Sequence, residues 1–306
     1  MIDLSKVSSE TGEDYALASE NRRLLKFATY ASVSTAGLLV IIKLVAWFMT
    51  GSMSLMATLL DSTMDILASL ITLFAVRIAI TPADDDHPFG HGKAEHLSVL
   101  AQSAFIAGSA IVLLLSASNR MTEANVIIQK EFAGILVMVI SIVATLILLG
   151  IQRHAIRKTK SSAIQADSLH YQMDLLTNGV VLLALFGSTL GYHQWDNILA
   201  LMIGGYMLFS VKNQAWKAIQ QLMDTSLPEA DLQEIERRAL SVEGVKGIHE
   251  IRTRVPGSMA FIQMHLDVEG SLPLKQAHDI GFKSKQAVLA FLPSADVMVH
   301  IDPVSL

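Results

Sequence analysis

The chain has 306 residues, of which 52% are hydrophobic and only 17% are charged, whereas a soluble domain usually carries about a quarter charged residues. Together with a mean hydropathy of +0.46, this composition indicates a membrane protein. The net charge of -5 argues against a nucleic-acid partner, because phosphate binding requires a basic surface. The absence of cysteine excludes disulfides, thiolate metal sites and thiol chemistry.

Six apolar runs are long enough to cross a bilayer as helices. The predicted spans cover 25–49, 52–80, 96–118, 132–151, 163–190 and 196–213. Residues 1–21 are expected to form a mobile acidic tail, which is retained because the first run is too long for the apolar part of a signal peptide. Lysine and arginine concentrate in alternate connections, so the positive-inside rule predicts cytoplasmic N- and C-termini. The transmembrane domain is expected to cover residues 22–224.

Residues 225–306 are typical of a small cytoplasmic domain. Pro228 and the acidic residues after it predict a helix that continues to about residue 240. Alternating apolar residues predict strands near 248–254, 260–268 and 297–301, and a helix over 273–291. The order helix, strand, strand, helix, strand (αββαβ) predicts an open-faced α+β sandwich beside the all-α membrane domain.

Two of the predicted spans carry the same polar pattern. Asp61 and Asp65 in the second span, and His170 and Asp174 in the fifth, are each four residues apart and therefore lie on one helix face. Ionisable groups in hydrocarbon cost about 3 kcal/mol each, so a function is expected. Two such helices side by side predict a four-ligand metal site. In the alternative interpretation, the acids pair with Lys43 or line a water cavity without metal.

Further histidine and carboxylate groups lie outside the spans. Asp84, His87 and His91 occupy the connection after the second span, where imidazole and carboxylate ligands favour zinc over magnesium or calcium. The alternative is a polar loop whose acids cap the next helix. In the soluble domain, the candidate ligands are His249, His265, His278, His300 and Asp302. As an alternative, these histidines are ordinary core or surface residues.

Four runs resemble those of the cation diffusion facilitator family: LDSTMD at 60–65, PADDDHPFGHGKAE at 82–95, LHYQMD at 169–174 and HIDP at 300–303. The resemblance implies six transmembrane helices, a metallochaperone-like cytoplasmic domain and a homodimer in a bacterial inner membrane. It implies that Asp61, Asp65, His170 and Asp174 form a tetrahedral transport site in the membrane.

The same resemblance implies a second metal site in the loop 84–91 and a binuclear site in the soluble domain near the dimer interface. It also implies a charge interlock between subunits, formed by Lys93, Asp224 and Arg254. One departure from the family is Ile301, which stands between two proposed ligands where related sequences can carry glutamine.

The expected function is the proton-coupled export of divalent metal cations, with zinc and cadmium favoured and ferrous iron, cobalt and nickel open. No nucleotide-binding loop is present in the sequence, so we expect the proton gradient to supply the energy. Metal and protons would compete for the same ligands as the site opens to one side and then the other. No organic cofactor is expected.

Three other function classes remain as alternatives. A membrane metal sensor would use the soluble domain as its output. A passive channel is disfavoured because four strong ligands would hold a divalent ion too long for channel conduction. An intramembrane metalloprotease is disfavoured because the sequence lacks a His-Glu-x-x-His pattern.

Overall fold

The computed structural model describes residues 4–51, 53–122, 132–189, 195–257 and 259–304. It divides into two compact units: residues up to 82 together with 94–218, and residues 83–93 together with 219–306. Sequence reasoning had assigned the connection 83–93 to the membrane domain. The structure instead packs this connection with the C-terminal residues, and Gly92 provides the reason, as described below.

The first unit consists of long helices. The helices are α1 (Leu4–Thr50), α2 (Met53–Ala79), α3 (Ala94–Thr122), α4 (Phe132–Thr159), α5 (Ser162–Thr189) and α6 (Trp195–Leu222). Each corresponds to one predicted apolar run, which confirms the six-helix fold class. Residues 4–21 of the predicted tail form the first turns of α1, and their mobility stays a prediction.

Four helices within the described residues contain segments long and apolar enough to span a membrane: Ser19–Thr50, Thr58–Ala79, Ala94–Ser118 and Gly134–Thr159. The helices α5 and α6 have 28 residues each, but the side chains at the end of α5 and the start of α6 lie outside the described residues. The topology of the termini stays a prediction.

Polar contacts join the helices around the start of α5. The Asp167 carboxylate is 1% exposed and accepts a hydrogen bond of 2.7 Å from the Gln152 side chain on α4. Ser69 and Thr72 on α2 donate longer bonds to its other oxygen. Helices in a membrane associate through such contacts and close packing, since lipid removes the hydrophobic drive between them. The network therefore fixes α5 against α2 and α4.

A carboxylate from α3 caps the first turn of α5. Glu95 Oε2 accepts bonds of 2.8 Å from the Ser162 amide and 2.9 Å from the Ser161 hydroxyl. The first amides of a helix have no hydrogen-bond partner within the helix. A negative charge at that end also interacts favourably with the helix dipole. Glu95 thus fixes the end of the helix that carries His170 and Asp174.

The second unit contains the predicted αββαβ order. Its elements are α7 (Glu229–Leu240), β1 (Val245–Arg254), β2 (Phe261–Glu269), α8 (Leu274–Leu289) and β3 (Asp296–Val304). The sheet order is β1-β2-β3, with β1 antiparallel and β3 parallel to β2. Helix residues such as Ile235 and Val288 pack on Ile262, Met264 and Leu266 of β2. Alternation along β2 leaves His265 and Asp267 on the opposite face of the sheet.

Candidate metal sites

The intramembrane group joins α2 and α5. His170 Nε2 lies 3.1 Å from Asp65 Oδ1 and 3.5 Å from Asp174 Oδ2, and one ligand atom from each residue lies within 4.8 Å of the other two. Asp65 and His170 are both 7% exposed. Asp174 Oδ2 is buried and accepts no hydrogen bond within the described part of the chain. Two carboxylates and one imidazole therefore converge at a place where a cation would satisfy them.

Asp61 lies one turn before Asp65, with an exposed side chain. It is outside the close group of three, although it interacts electrostatically with Asp65, Lys43 and His170. The structure therefore brings three of the four predicted ligands together. Ligation by Asp61 stays a prediction.

The second group lies in the connection between α2 and α3. Asp84 Oδ1 accepts a bond of 2.7 Å from the His87 amide and lies 3.2 Å from His87 Nδ1. Its Oδ2 lies 3.3 Å from His91 Nε2. The bond from the His87 amide lowers the pKa of Asp84, which keeps this carboxylate ionised and suited to a cation. Asp84 thus accepts its backbone hydrogen bond from within the loop, rather than capping the first turn of α3.

The loop that carries this group packs on the sheet of the second unit. The Phe89 ring meets Phe261 edge to face at 5.4 Å, and the Arg254 guanidinium lies 4.1 Å from the centre of the Phe89 ring. Gly92 approaches Pro256 so closely that a Cβ on Gly92 would overlap the Pro256 carbonyl. These contacts explain why the loop belongs to the second unit.

The third group covers the open face of the sheet. The pairing aligns His249 with His265 and His265 with His300, so three strands each contribute one imidazole. Asp302 Oδ2 lies 2.8 Å from His265 Nδ1 and 3.5 Å from His249 Nε2, and its Oδ1 lies 3.3 Å from His300 Nε2. Each carboxylate oxygen faces a different imidazole set. Imidazole and carboxylate donors of this kind would suit a divalent cation.

Asp267 is a member of this group that sequence reasoning missed. It pairs with Asp302 on β3 and with Gly247 on β1, and its Oδ1 lies 3.5 Å from His249 Nδ1. A Cβ on Gly247 would collide with the Asp267 carboxylate. Because His249 presents Nε2 to Asp302, Asp267 is placed to orient the ring from behind. Its spacing of two residues from His265 was the available signal.

Two further residues lie away from the open face of the sheet. His278 is exposed on α8, and α8 packs on the face opposite to His265. Within one chain the structure does not bring His278 to the other four predicted ligands. Ile301 contacts Gly281 of α8, so its side chain is directed away from the imidazoles. The departure at Ile301 therefore does not place a side chain among the candidate ligands.

The three predicted interlock residues meet within one chain. Lys93 Nζ lies 3.0 Å from Asp224 Oδ1 and donates to the Leu222 carbonyl at 3.3 Å. Arg254 lies 3.9 Å from the other oxygen of Asp224. Their role between subunits stays a prediction.

Comparison with known proteins identifies the family. Residues 29–223 match the cation efflux transmembrane domain, and residues 227–304 match the cation efflux protein cytoplasmic domain. The chain belongs to the cation efflux family. Proteins named cation-efflux pump FieF from Shigella boydii, Escherichia coli and Salmonella agona are each 45% identical over 284 residues, covering 93% of this chain and 94% of theirs.

Membership of the cation efflux family makes the chain a cation efflux transporter of the membrane. Among solved structures, one titled MamM-CTD 215-293 is 26% identical and covers 25% of this chain and 98% of its own, with a TM-score of 0.24.

Proposed function

We propose that the chain exports divalent metal cations from the cytoplasm in exchange for protons. The transport site consists of Asp61, Asp65, His170 and Asp174. The observation that carries the proposal is the convergence of Asp65, His170 and Asp174 between α2 and α5, with a buried Asp174 oxygen that lacks a hydrogen bond in the described structure.

The ligand chemistry supports exchange. Carboxylates and imidazole bind a metal only when deprotonated, so a proton bound to either type of group excludes the ion. A site that opens to the cytoplasm at low proton activity takes up metal, and opening outward toward higher proton activity releases it. Rocking of helices around a fixed site is a common device of secondary transporters. Asp61, one turn from Asp65, is the fourth ligand in this proposal.

The metal follows from the donor atoms. One imidazole among carboxylates favours zinc and its close relatives over magnesium or calcium, which prefer oxygen ligands. We therefore propose zinc and cadmium as substrates, with ferrous iron as a further one. Affinity order alone does not separate these ions, because geometry and availability also decide selectivity.

The second unit is proposed to bind zinc as a resident ion and to regulate transport. Asp302, with one oxygen toward His265 and the other toward His300, supports a binuclear centre, and the loop group at Asp84 supports an additional site. We propose a homodimer in the inner membrane, with both termini cytoplasmic, in which the Lys93, Asp224 and Arg254 cluster stabilises the subunit contact and His278 completes the sheet site.

Zinc flux into proteoliposomes with an imposed pH gradient tests the transport proposal. The wild-type chain is compared with Asp65→Asn, which removes the charge at nearly constant volume, and with Asp279→Asn, which removes a charge from an exposed position on α8. We expect flux that rises with the gradient, is lost in Asp65→Asn and is retained in Asp279→Asn. Flux that ignores the gradient would indicate a channel. Undiminished flux in Asp65→Asn would refute the proposed site.

A further inference from the structure

A lysine lies inside the helix bundle, next to the candidate transport site. Lys43 is in the membrane-spanning part of α1 and is only 8% exposed. A charged side chain at this depth is costly and is usually found where it serves a function. Lys43 is not one of the proposed metal ligands, and an ammonium cannot bind a metal ion.

The ammonium group is held by α2, the helix that carries Asp61 and Asp65. Lys43 Nζ donates to Ser62 Oγ at 2.5 Å and to the Thr58 carbonyl at 3.2 Å. Ser62 is fully buried. Two acceptors therefore fix the position of the charge and compensate part of the cost of its burial.

The position of Lys43 lets it act on the transport site through space. It interacts electrostatically with both Asp61 and Asp174. Within the described residues, however, it makes no direct ion pair with either carboxylate, and its hydrogen-bond partners are the uncharged groups on α2. Lys43 thus adds a positive charge beside the ligands without occupying the place of the metal.

We infer that Lys43 is a fixed counter-charge that weakens metal binding at the transport site and thereby permits release. The inference rests on the proposed function. Two or three carboxylates with an imidazole form a strongly anionic site in a medium of low effective dielectric, where charges interact over several ångströms. A site that binds too tightly cannot turn over. The positive ammonium repels the metal cation. It therefore keeps the affinity of the site for the metal within a range that allows both uptake and release.

Substitution by methionine tests the charge separately from the packing. Lys43→Met keeps an unbranched side chain and removes the ammonium, whereas Lys43→Arg retains the charge. We expect zinc to bind Lys43→Met about tenfold to a hundredfold more tightly, since each factor of ten corresponds to 1.4 kcal/mol. Maximal zinc flux should fall in the same variant because release becomes slower. Lys43→Arg should stay near wild type in both measurements.

Zinc binding is measured at equilibrium on the full chain in nanodiscs, in a background with His87→Ala and His300→Ala that weakens the other two groups. Lys26→Met is the matched control, because Lys26 is an exposed lysine on the same helix. Lys43→Gln, which keeps a donor for Ser62 without the charge, is the second neutral variant, and it should tighten binding as Lys43→Met does.

Unchanged or weaker binding in the neutral variants would overturn the inference. Failure of both neutral variants to fold, with normal folding of Lys43→Arg, would also overturn it by assigning the charge to stability. Asp65→Asn separates the two proposals. If Asp65→Asn abolishes zinc binding while Lys43→Met leaves it unchanged, only the role of Lys43 fails; if Asp65→Asn has no effect, the transport site itself is wrong.

Discussion

Removal of the Asp267 charge should weaken zinc binding at the open face of the sheet, although Asp267 is not one of the candidate ligands His249, His265, His300 and Asp302. Asp267 Oδ1 lies 3.5 Å from His249 Nδ1, and His249 Nε2 faces Asp302. A carboxylate behind an imidazole holds the ring proton on the nitrogen that faces it, here Nδ1, which fixes the ring orientation and the tautomer and strengthens the opposite nitrogen as a metal ligand. Asp267→Asn keeps the shape of this support and removes its charge.

The size of the expected loss of zinc affinity in Asp267→Asn follows from related cases. Mutation of such a supporting group typically lowers metal affinity tenfold to a hundredfold, which corresponds to about 1.4 to 2.7 kcal/mol. The distance of 3.5 Å is long for a hydrogen bond, so we expect the lower part of this range. The assay is a competition titration against a chromophoric zinc chelator, on full-length protein that also carries Asp65→Asn and His87→Ala.

A second variant reaches the same contact from the opposite strand. Gly247→Ala leaves the Asp267 charge in place but inserts a Cβ where the carboxylate lies. It should displace the carboxylate and lower zinc affinity in the same direction, whereas Asp279→Asn should have no effect. Wild-type affinity in both Asp267→Asn and Gly247→Ala would refute the supporting role of Asp267.

Two further predictions concern the second unit. Gly92→Ala should displace the loop from Pro256 and speed amide hydrogen exchange over 84–91; exchange at the wild-type rate would contradict the close packing. Hydrogen bonds from Arg237 and Arg238 lower the pKa of Glu234 from 4.5 to about 2. The stabilisation that ionised Glu234 gives to α7 is therefore complete above pH 4.5 and lost as the pH falls through 2. The difference in amide protection of α7 between wild type and Glu234→Gln should shrink over that interval, and a constant difference would count against it.

The helices of the membrane unit were predictable from the sequence because long apolar runs have few alternatives in a bilayer, where every backbone polar group must be paired internally. The predicted run 163–190 corresponds to α5 at Ser162–Thr189. The start of α1 at Leu4 was not predicted, since polar composition rather than a helix stop signal had suggested a tail. No proline interrupts the first fifty residues.

The residue types of the sheet site were predictable, but its membership was not. Alternation placed His265 and His300 on strands, whereas strand pairing alone brings Asp267 opposite Gly247. That pairing includes an irregularity between His249 and Arg252, where Glu250 has a φ of +48°, and local propensity does not reveal it. The role of His278 in this site stays a prediction, because α8 carries it on the covered face of the sheet within one chain.

The loop 83–93 shows a different limit of sequence reasoning. Its position in the sequence, between two membrane helices, assigns it to the membrane domain. Its actual association depends on the small size of Gly92 and Gly257, whose backbones approach closely, and on the Arg254 stack with Phe89. Contacts between residues more than 150 positions apart are not contained in local patterns.

The Gly247 and Asp267 pair has a consequence for evolution of the family. A side chain at position 247 would force the carboxylate at position 267 to move, so the two positions are expected to vary together rather than independently. Relatives with a larger residue at the first position should carry a smaller or uncharged residue at the second. An alignment of family sequences would therefore show which members keep a carboxylate behind the imidazole at position 249 and which have lost it.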